Sequence, residues 1–128
     1  VHLSDPRHRL GALISHHARL MTEESQLFAV FFDSRPRLDE SYERAILSKE
    51  RRYVRIYAEA VQAAVEGGHI PEMDPRYGAQ AILGMTTWSY KWFDPQRDDR
   101  EALVDAYVRL ILRGPVPGAD VSGVATGR

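Results

Sequence analysis

Residues 84–95 read Gly84-Met85-Thr86-Thr87-Trp88-Ser89-Tyr90-Lys91-Trp92-Phe93-Asp94-Pro95, and the fold turns on how this stretch is read. Trp88 and Trp92 are four residues apart, which places both indoles on one face of a helix. Ten residues upstream, Asp74-Pro75 supplies a helix start: the carboxylate can accept orphan N–H groups, and proline at the first helical position has no N–H to lose. Between that start and the stop at Pro95, the residues Tyr77, Ala81, Ile82, Met85, Trp88, Ser89, Trp92 and Phe93 make a helix of mixed small and aromatic surface. Gly78 and Gly84 weaken its intrinsic helicity but allow a neighbour to approach closely.

The same logic extends in both directions. Downstream, a helix from about Asp98 or Asp99 to Arg113 carries Ala102, Leu103, Ala106, Tyr107, Leu110 and Ile111 on one side, and Gly114, Pro115, Pro117 and Gly118 end it. Upstream, Asp39 to Glu66 supports one long helix, its apolar stripe running through Tyr42, Ile46, Tyr53, Ile56, Tyr57, Ala60, Val61 and Ala64 beside a charged face. Gly67-Gly68 stops it. A first helix opens at Asp5-Pro6 and reaches about Met21, with Leu10, Leu13, Ile14, His17 and Leu20 at spacings of three and four. A second, about Glu24 to Arg35, is apolar around most of its circumference and ends at Pro36. No segment alternates well enough for a sheet. The expectation is an all-α, five-helix domain over residues 1–118, with 119–128 as a flexible tail lacking any periodic apolar face.

Composition bounds what such a domain can do. In 128 residues, 44% are hydrophobic and 27% charged, enough for one globular core. Seventeen Lys and Arg against eighteen Asp and Glu leave a net charge of -1, so the chain as a whole has no pull toward nucleic acid phosphates. The absence of Cys rules out a disulfide framework, a thiolate nucleophile and Cys-ligated zinc. No apolar run approaches a membrane span and no signal peptide precedes the first helix. The start at Val1, directly before a helix signal, reads as an interior cut.

The helix order, the spaced tryptophan pair with its Phe93-Asp94-Pro95 ending, and the final helix closing at Gly114 resemble the C-terminal domain of TetR-family transcriptional regulators. The resemblance covers about Asp5 to Gly114. It implies a cytoplasmic one-component repressor that works as a homodimer, binds a small-molecule effector in its C-terminal domain, and touches DNA only through an N-terminal helix-turn-helix domain, which is absent from this sequence. No cofactor, metal or membrane partner is expected.

Within that frame, Phe28, Phe32, Tyr53, Tyr57, Met85, Trp88 and Trp92, with Phe31, offer large apolar surfaces and a few polar tips, a mixture suited to a mostly apolar ligand. An apolar or acyl-thioester-like effector is the expectation, although core packing is the bland role for any one of these residues. Lys49 and Arg52, one turn apart in the run Lys49, Arg51, Arg52, Arg55, could contact an acidic effector. The competing role is a solvated face paired with Glu43, Glu50 and Glu59. His17 falls on the apolar side of its helix as a hydrogen-bonded wall residue, and His16 beside it points elsewhere, so the two do not make a metal site. The dimer interface is expected at Gly78, Ala81, Gly84, Leu103, Ala106, Tyr107 and Leu110, where small side chains permit close approach. No nucleophile elbow, phosphate loop or paired acidic motif occurs, so an enzyme is not expected. A purely structural helical dimerisation module is the alternative, and a small helical enzyme a more distant one.

Overall fold

The computed structural model describes residues 5–35 and 39–112. The helices are α1 (Pro6–Glu23), α2 (Ser25–Ser34), α3 (Glu40–Glu66), α4 (Pro75–Thr87), the single turn α5 (Ser89–Trp92) and α6 (Arg100–Leu112). Residues 113–128, which include the Gly and Pro stop after the last helix and the expected tail, lie outside the described residues, as does Pro36.

Aspartates start the helices as the sequence suggests. Asp5 accepts from the N–H of Arg7 at 3.0 Å, Asp39 from Tyr42 at 3.0 Å, and Asp74 from Arg76 at 2.9 Å. Asp99 accepts from both Glu101 and Ala102, at 3.0 and 3.2 Å. Each cap satisfies donors that the first turn leaves unpaired. α3 stops where Gly68 takes φ +75, a left-handed conformation that glycine adopts without penalty.

The fourth helix departs from its expected length. It breaks at Trp88, giving α4 and the short α5. Just before the break, the Thr86 hydroxyl lies 2.8 Å from the Ile82 carbonyl and 3.3 Å from that of Leu83. Such back-bonding competes with the helix ladder and bends it. After it, the Lys91 N–H bonds to the Trp88 carbonyl three residues back, a tighter turn than an α-helix allows.

α1 is the central element and packs against α3, α4, α5 and α6. Its Leu10, Ile14 and Ala18 are fully buried and meet Tyr57, Ala60, Val61 and Ala64 of α3, Ala79 and Ile82 of α4, and Val104, Tyr107 and Leu112 of α6. α3 and α4 are drawn together at Gly78, where a Cβ would sit 2.8 Å from Val61 Cγ1 and 3.0 Å from Met73 Sδ; only glycine leaves that room. The end of α1 is tied to the start of α6 by Arg100. Its guanidinium donates to the Thr22 hydroxyl at 2.9 Å and the Thr22 carbonyl at 3.2 Å, and lies over the Phe93 ring.

α2 is different. Leu27, Phe28, Ala29, Val30, Phe31 and Phe32 make it strongly apolar, yet none of its residues is buried, and Leu27 and Val30 are more than 60% exposed. It is held at its C-terminal end. Phe32 stacks on Tyr90 of α5 with centroids 5.0 Å apart. Arg35, just past its C-terminus, donates to the carboxylates of Glu43 and Glu50 on α3. α2 therefore bridges the end of α1 and the N-terminal half of α3.

Candidate functional site

The aromatic side chains converge in two groups. At the junction of α1, α3 and α4, Tyr53 and Tyr57 have centroids 5.1 Å apart, and His17 lies 5.5 Å from Tyr53 and 6.2 Å from Tyr57. Periodicity explains the convergence: Glu43, Ile46, Glu50, Tyr53 and Tyr57 alternate steps of three and four, so they form one face of α3. The near half of that face holds Arg35 of α2, and the far half meets α1. The second group, Phe28, Phe31 and Phe32 with Tyr90, lies along α2 and α5.

The polar atoms of the first group have unequal partners. The Tyr57 hydroxyl donates to the Leu13 carbonyl at 2.7 Å; burial first, and then the neighbouring Tyr53 hydroxyl, push its phenol up from the ordinary tyrosine range. His17 Nδ1 is 2.6 Å from the Thr86 hydroxyl oxygen. Because Thr86 directs its own proton at the carbonyls of Ile82 and Leu83, its oxygen accepts, and Nδ1 of His17 is the protonated nitrogen. Nε2 is left with its lone pair free to accept. Burial, aided by the charge of His16, lowers the His17 pKa to about 4, so the ring is neutral near pH 7. The Tyr53 hydroxyl is the exception: among the described residues it is the buried side-chain polar atom without a hydrogen-bond partner. It feels Tyr57, but the Tyr57 proton is aimed at Leu13.

The depressed His17 pKa has a consequence for stability. The unfolded chain binds that proton near pH 6.5 and the folded chain only near 4, so the fold's advantage is complete above 6.5 and is lost as pH falls from there toward 4. The loss is on the order of 3 kcal/mol. In an NMR titration His17 should keep its neutral chemical shift at pH 5. Urea melts at pH 7 and 4.5 should differ by less in His17→Gln than in the parent chain.

The expected ligand residues are distributed unevenly. Tyr57 is fully buried, Tyr53 half-buried, and Met85 packs partly buried against the core. Phe28 and Phe32 are half-buried on α2. The tryptophans turn outward: Trp88 is 59% exposed with the Lys91 ammonium over its ring, and Trp92 is 40% exposed. Trp88 shares the outer face of α4 with Tyr77, Ala81 and Gly84, all exposed. On α6, Ala106 and Leu110 are also exposed. Two residues expected in the dimer interface are placed inside the protomer instead. Gly78 is buried against Val61 and Met73, and Tyr107 is buried with its hydroxyl bonded to Ser89. Leu103 is half-buried beside the core. Helical spacing groups residues by face but does not say which neighbour each face meets.

Lys49 and Arg52 are exposed. Their expected carboxylate partners Glu43 and Glu50 are engaged by Arg35, which the sequence reading did not consider because Arg35 closes a different helix. Among the described residues, no ion pair is formed by Lys49, Arg51, Arg52 or Arg55. His17 and Thr86, 69 residues apart in sequence, were joined only by the fold. A separate groove of about 770 Å³ between α1 and α6, bordered by Arg7, Gly11, His16, Arg19, Val108 and Leu112, touches none of the expected ligand residues. It is open and mixed in polarity, without the apolar enclosure that small-molecule sites have. Among the described residues no cluster of His, Asp or Glu could hold a metal ion, and no helix is long and apolar enough to cross a membrane.

Comparison with known proteins agrees with this architecture. The family model described as "Tetracyclin repressor-like, C-terminal domain" matches residues 3–115. The crystal structure of AibR in complex with isovaleryl coenzyme A and operator DNA is similar at 30% identity and a TM-score of 0.77, covering 87% of this chain and 61% of that one. Apo AibR matches at 28% identity and 0.76, covering 87% and 60%. A transcriptional regulator of the TetR/AcrR family from Thermobifida fusca YX-ER1 matches at 28% and 0.75, covering 87% and 59%. The chain thus spans only about three fifths of the length of these solved relatives. No curated protein gave a significant match. With the helix order, the Asp-capped starts and the match across residues 3–115 in agreement, this chain belongs to the TetR family and is the C-terminal, ligand-binding domain of one of its regulators.

Proposed function

We propose that this domain senses an apolar, acyl-thioester-like small molecule and dimerises, and that it serves a one-component transcriptional repressor whose DNA contacts are made by a separate N-terminal domain. The observation that carries the effector reading is the α1/α3/α4 junction, where aromatic rings flank a buried hydroxyl that has no hydrogen-bond partner among the described residues. Ligand sites have this form: mostly apolar, with a few directing polar groups. The likeness to AibR, solved with isovaleryl coenzyme A, supports the acyl thioester class. Lys49, one turn before Tyr53 on α3, and Arg52 beside it form no ion pair among the described residues, and in this reading they would contact the anionic tail of such a molecule.

The switch is a difference in affinity. The effector must prefer one packing of the helices over another, since equal affinity for both shifts nothing. α2 is the element suited to that role, being apolar, unburied and fastened at its C-terminal end. It starts beside α1 and finishes against the same α3 face that carries Tyr53.

Thermal unfolding with isovaleryl coenzyme A, longer acyl coenzyme A thioesters and free coenzyme A tests the reading. At a hundredfold excess over Kd, a bound effector stabilises by about 2.7 kcal/mol, which raises Tm by several degrees in a domain of this size. Free coenzyme A should do much less, because it lacks the apolar acyl group. If no acyl thioester raises Tm, the acyl-effector reading fails and a purely structural dimerisation module takes its place.

A further inference from the structure

The chemical preference of this site can be taken one step further, resting on the effector reading just given. We infer that the α1/α3/α4 junction recognises an uncharged carbonyl group, the Tyr53 hydroxyl donating to the carbonyl oxygen while Nε2 of His17 accepts from a ligand or water donor beside it.

Two hydrogen-bond capacities remain open after the protein's own bonds are assigned. Tyr53 retains a donor, because its hydroxyl is buried and has no hydrogen-bond partner among the described residues, whereas buried polar atoms are nearly always paired. The Tyr57 hydroxyl lies close enough to influence it and keeps its own proton on the Leu13 carbonyl, but the two hydroxyls do not meet in a well-formed hydrogen bond. His17 retains an acceptor, because Thr86 holds Nδ1 as the N–H. A buried hydroxyl that reaches no acceptor among the described residues is open to one from outside.

The surroundings decide which acceptor. The groups that face Tyr53 are the His17 ring, the Tyr57 ring and hydroxyl, and beyond them Thr86 and the Leu13 carbonyl, and none of these is a cation near neutral pH. His17, the one group there able to become a cation, has its proton affinity lowered by burial. A carboxylate entering this junction would shed its water against phenol rings and a neutral imidazole, without a counter-charge to offset the cost. Lys49 on the same face is exposed, so its charge stays in solvent. A thioester, ester, ketone or amide carbonyl carries no net charge and needs one good donor, which Tyr53 provides.

Calorimetric titration of the whole chain with three probes tests this: isovaleryl coenzyme A, its thioether analogue with a methylene in place of the carbonyl, and free isovalerate. The parent chain should bind the thioester at least tenfold more tightly than the thioether, and isovalerate more weakly than either. Tyr53→Phe keeps the ring and should keep the fold, checked by circular dichroism melting. It should bind thioester and thioether alike, at the affinity the parent shows for the thioether. A purely structural role for Tyr53 would lower both affinities together and leave their ratio intact. Equal binding of thioester and thioether by the parent, a preference that survives in Tyr53→Phe, or isovalerate binding as tightly as the thioester each overturns the carbonyl inference while leaving the effector reading in place. Binding of neither coenzyme A derivative overturns the effector reading, and this inference with it.

Discussion

Ala106→Glu should raise the dissociation constant of the proposed dimer by a hundredfold or more and leave the helix content of the domain unchanged. Ala106 is exposed on α6 beside Leu110, which is 70% exposed, and α4 offers a second outward face through Tyr77, Ala81, Gly84 and Trp88. A Cβ added at Gly84 would meet nothing within 4 Å, so on that side the backbone is open to a partner. Tyr77 on α4, Trp88 at its end and Leu110 on α6 are exposed large apolar side chains, the kind of surface a second copy would cover. A two-fold contact repeats each substitution, so one Glu puts two carboxylates into the interface, each short of counter-charge. A hundredfold corresponds to about 2.7 kcal/mol, modest for two desolvated charges. The monomer should change by no more than about 0.5 kcal/mol, since the site is at the surface and Glu is a good helix former. Analytical ultracentrifugation beside circular dichroism reads both quantities. A monomeric parent chain across a wide concentration range would sink the dimer, and a folded variant with unchanged association would remove Ala106 from its interface.

Tyr57→Ala should cost about 3–5 kcal/mol of unfolding free energy, and Tyr57→Phe only about 1 kcal/mol. The ring is fully buried in the main core cluster, between α1 and α3, so truncation opens a void that the surrounding helices cannot close. The hydroxyl makes a single bond, to the Leu13 carbonyl, and that carbonyl remains in the α1 ladder without it. Urea melts of the two variants measure the difference. The pair also separates two roles for this residue. A cost below about 1.5 kcal/mol for Tyr57→Ala would mean that the ring faces a space already present, as a ligand wall does, and that it is not part of the packed core.

Much of the architecture was legible in local chemistry. Asp5-Pro6, Asp39 and Asp74-Pro75 announced three helix starts, because an N-cap needs only a short acceptor and the chain immediately after it. Gly67-Gly68 announced a stop for an equally local reason. The break at Trp88 was not legible: the apolar period runs through it undisturbed, and the bend comes from Thr86, whose side chain reaches back to its own helix while accepting from His17 on another. Aromatic spacing along α3 put Tyr53 and Tyr57 on one face, and they do share a wall.

Which neighbour a face meets was decided only by the tertiary structure. Gly78 and Gly84 are equivalent as sequence, small residues on one helix, yet Gly78 closes on Val61 of α3 while Gly84 is open. Trp88 and Tyr57 are equally apolar as residue types, and one is 59% exposed and the other fully buried. Arg35 took the carboxylates that seemed reserved for Lys49 and Arg52, because α2 ends against α3 in space and not in sequence. The unpartnered Tyr53 hydroxyl and the tautomer of His17 are of the same kind. Periodicity determines that a side chain leaves the water-facing side of its helix; the hydrogen bonds left over once the helices have packed depend on contacts between segments that are distant in the chain, and no local pattern encodes them.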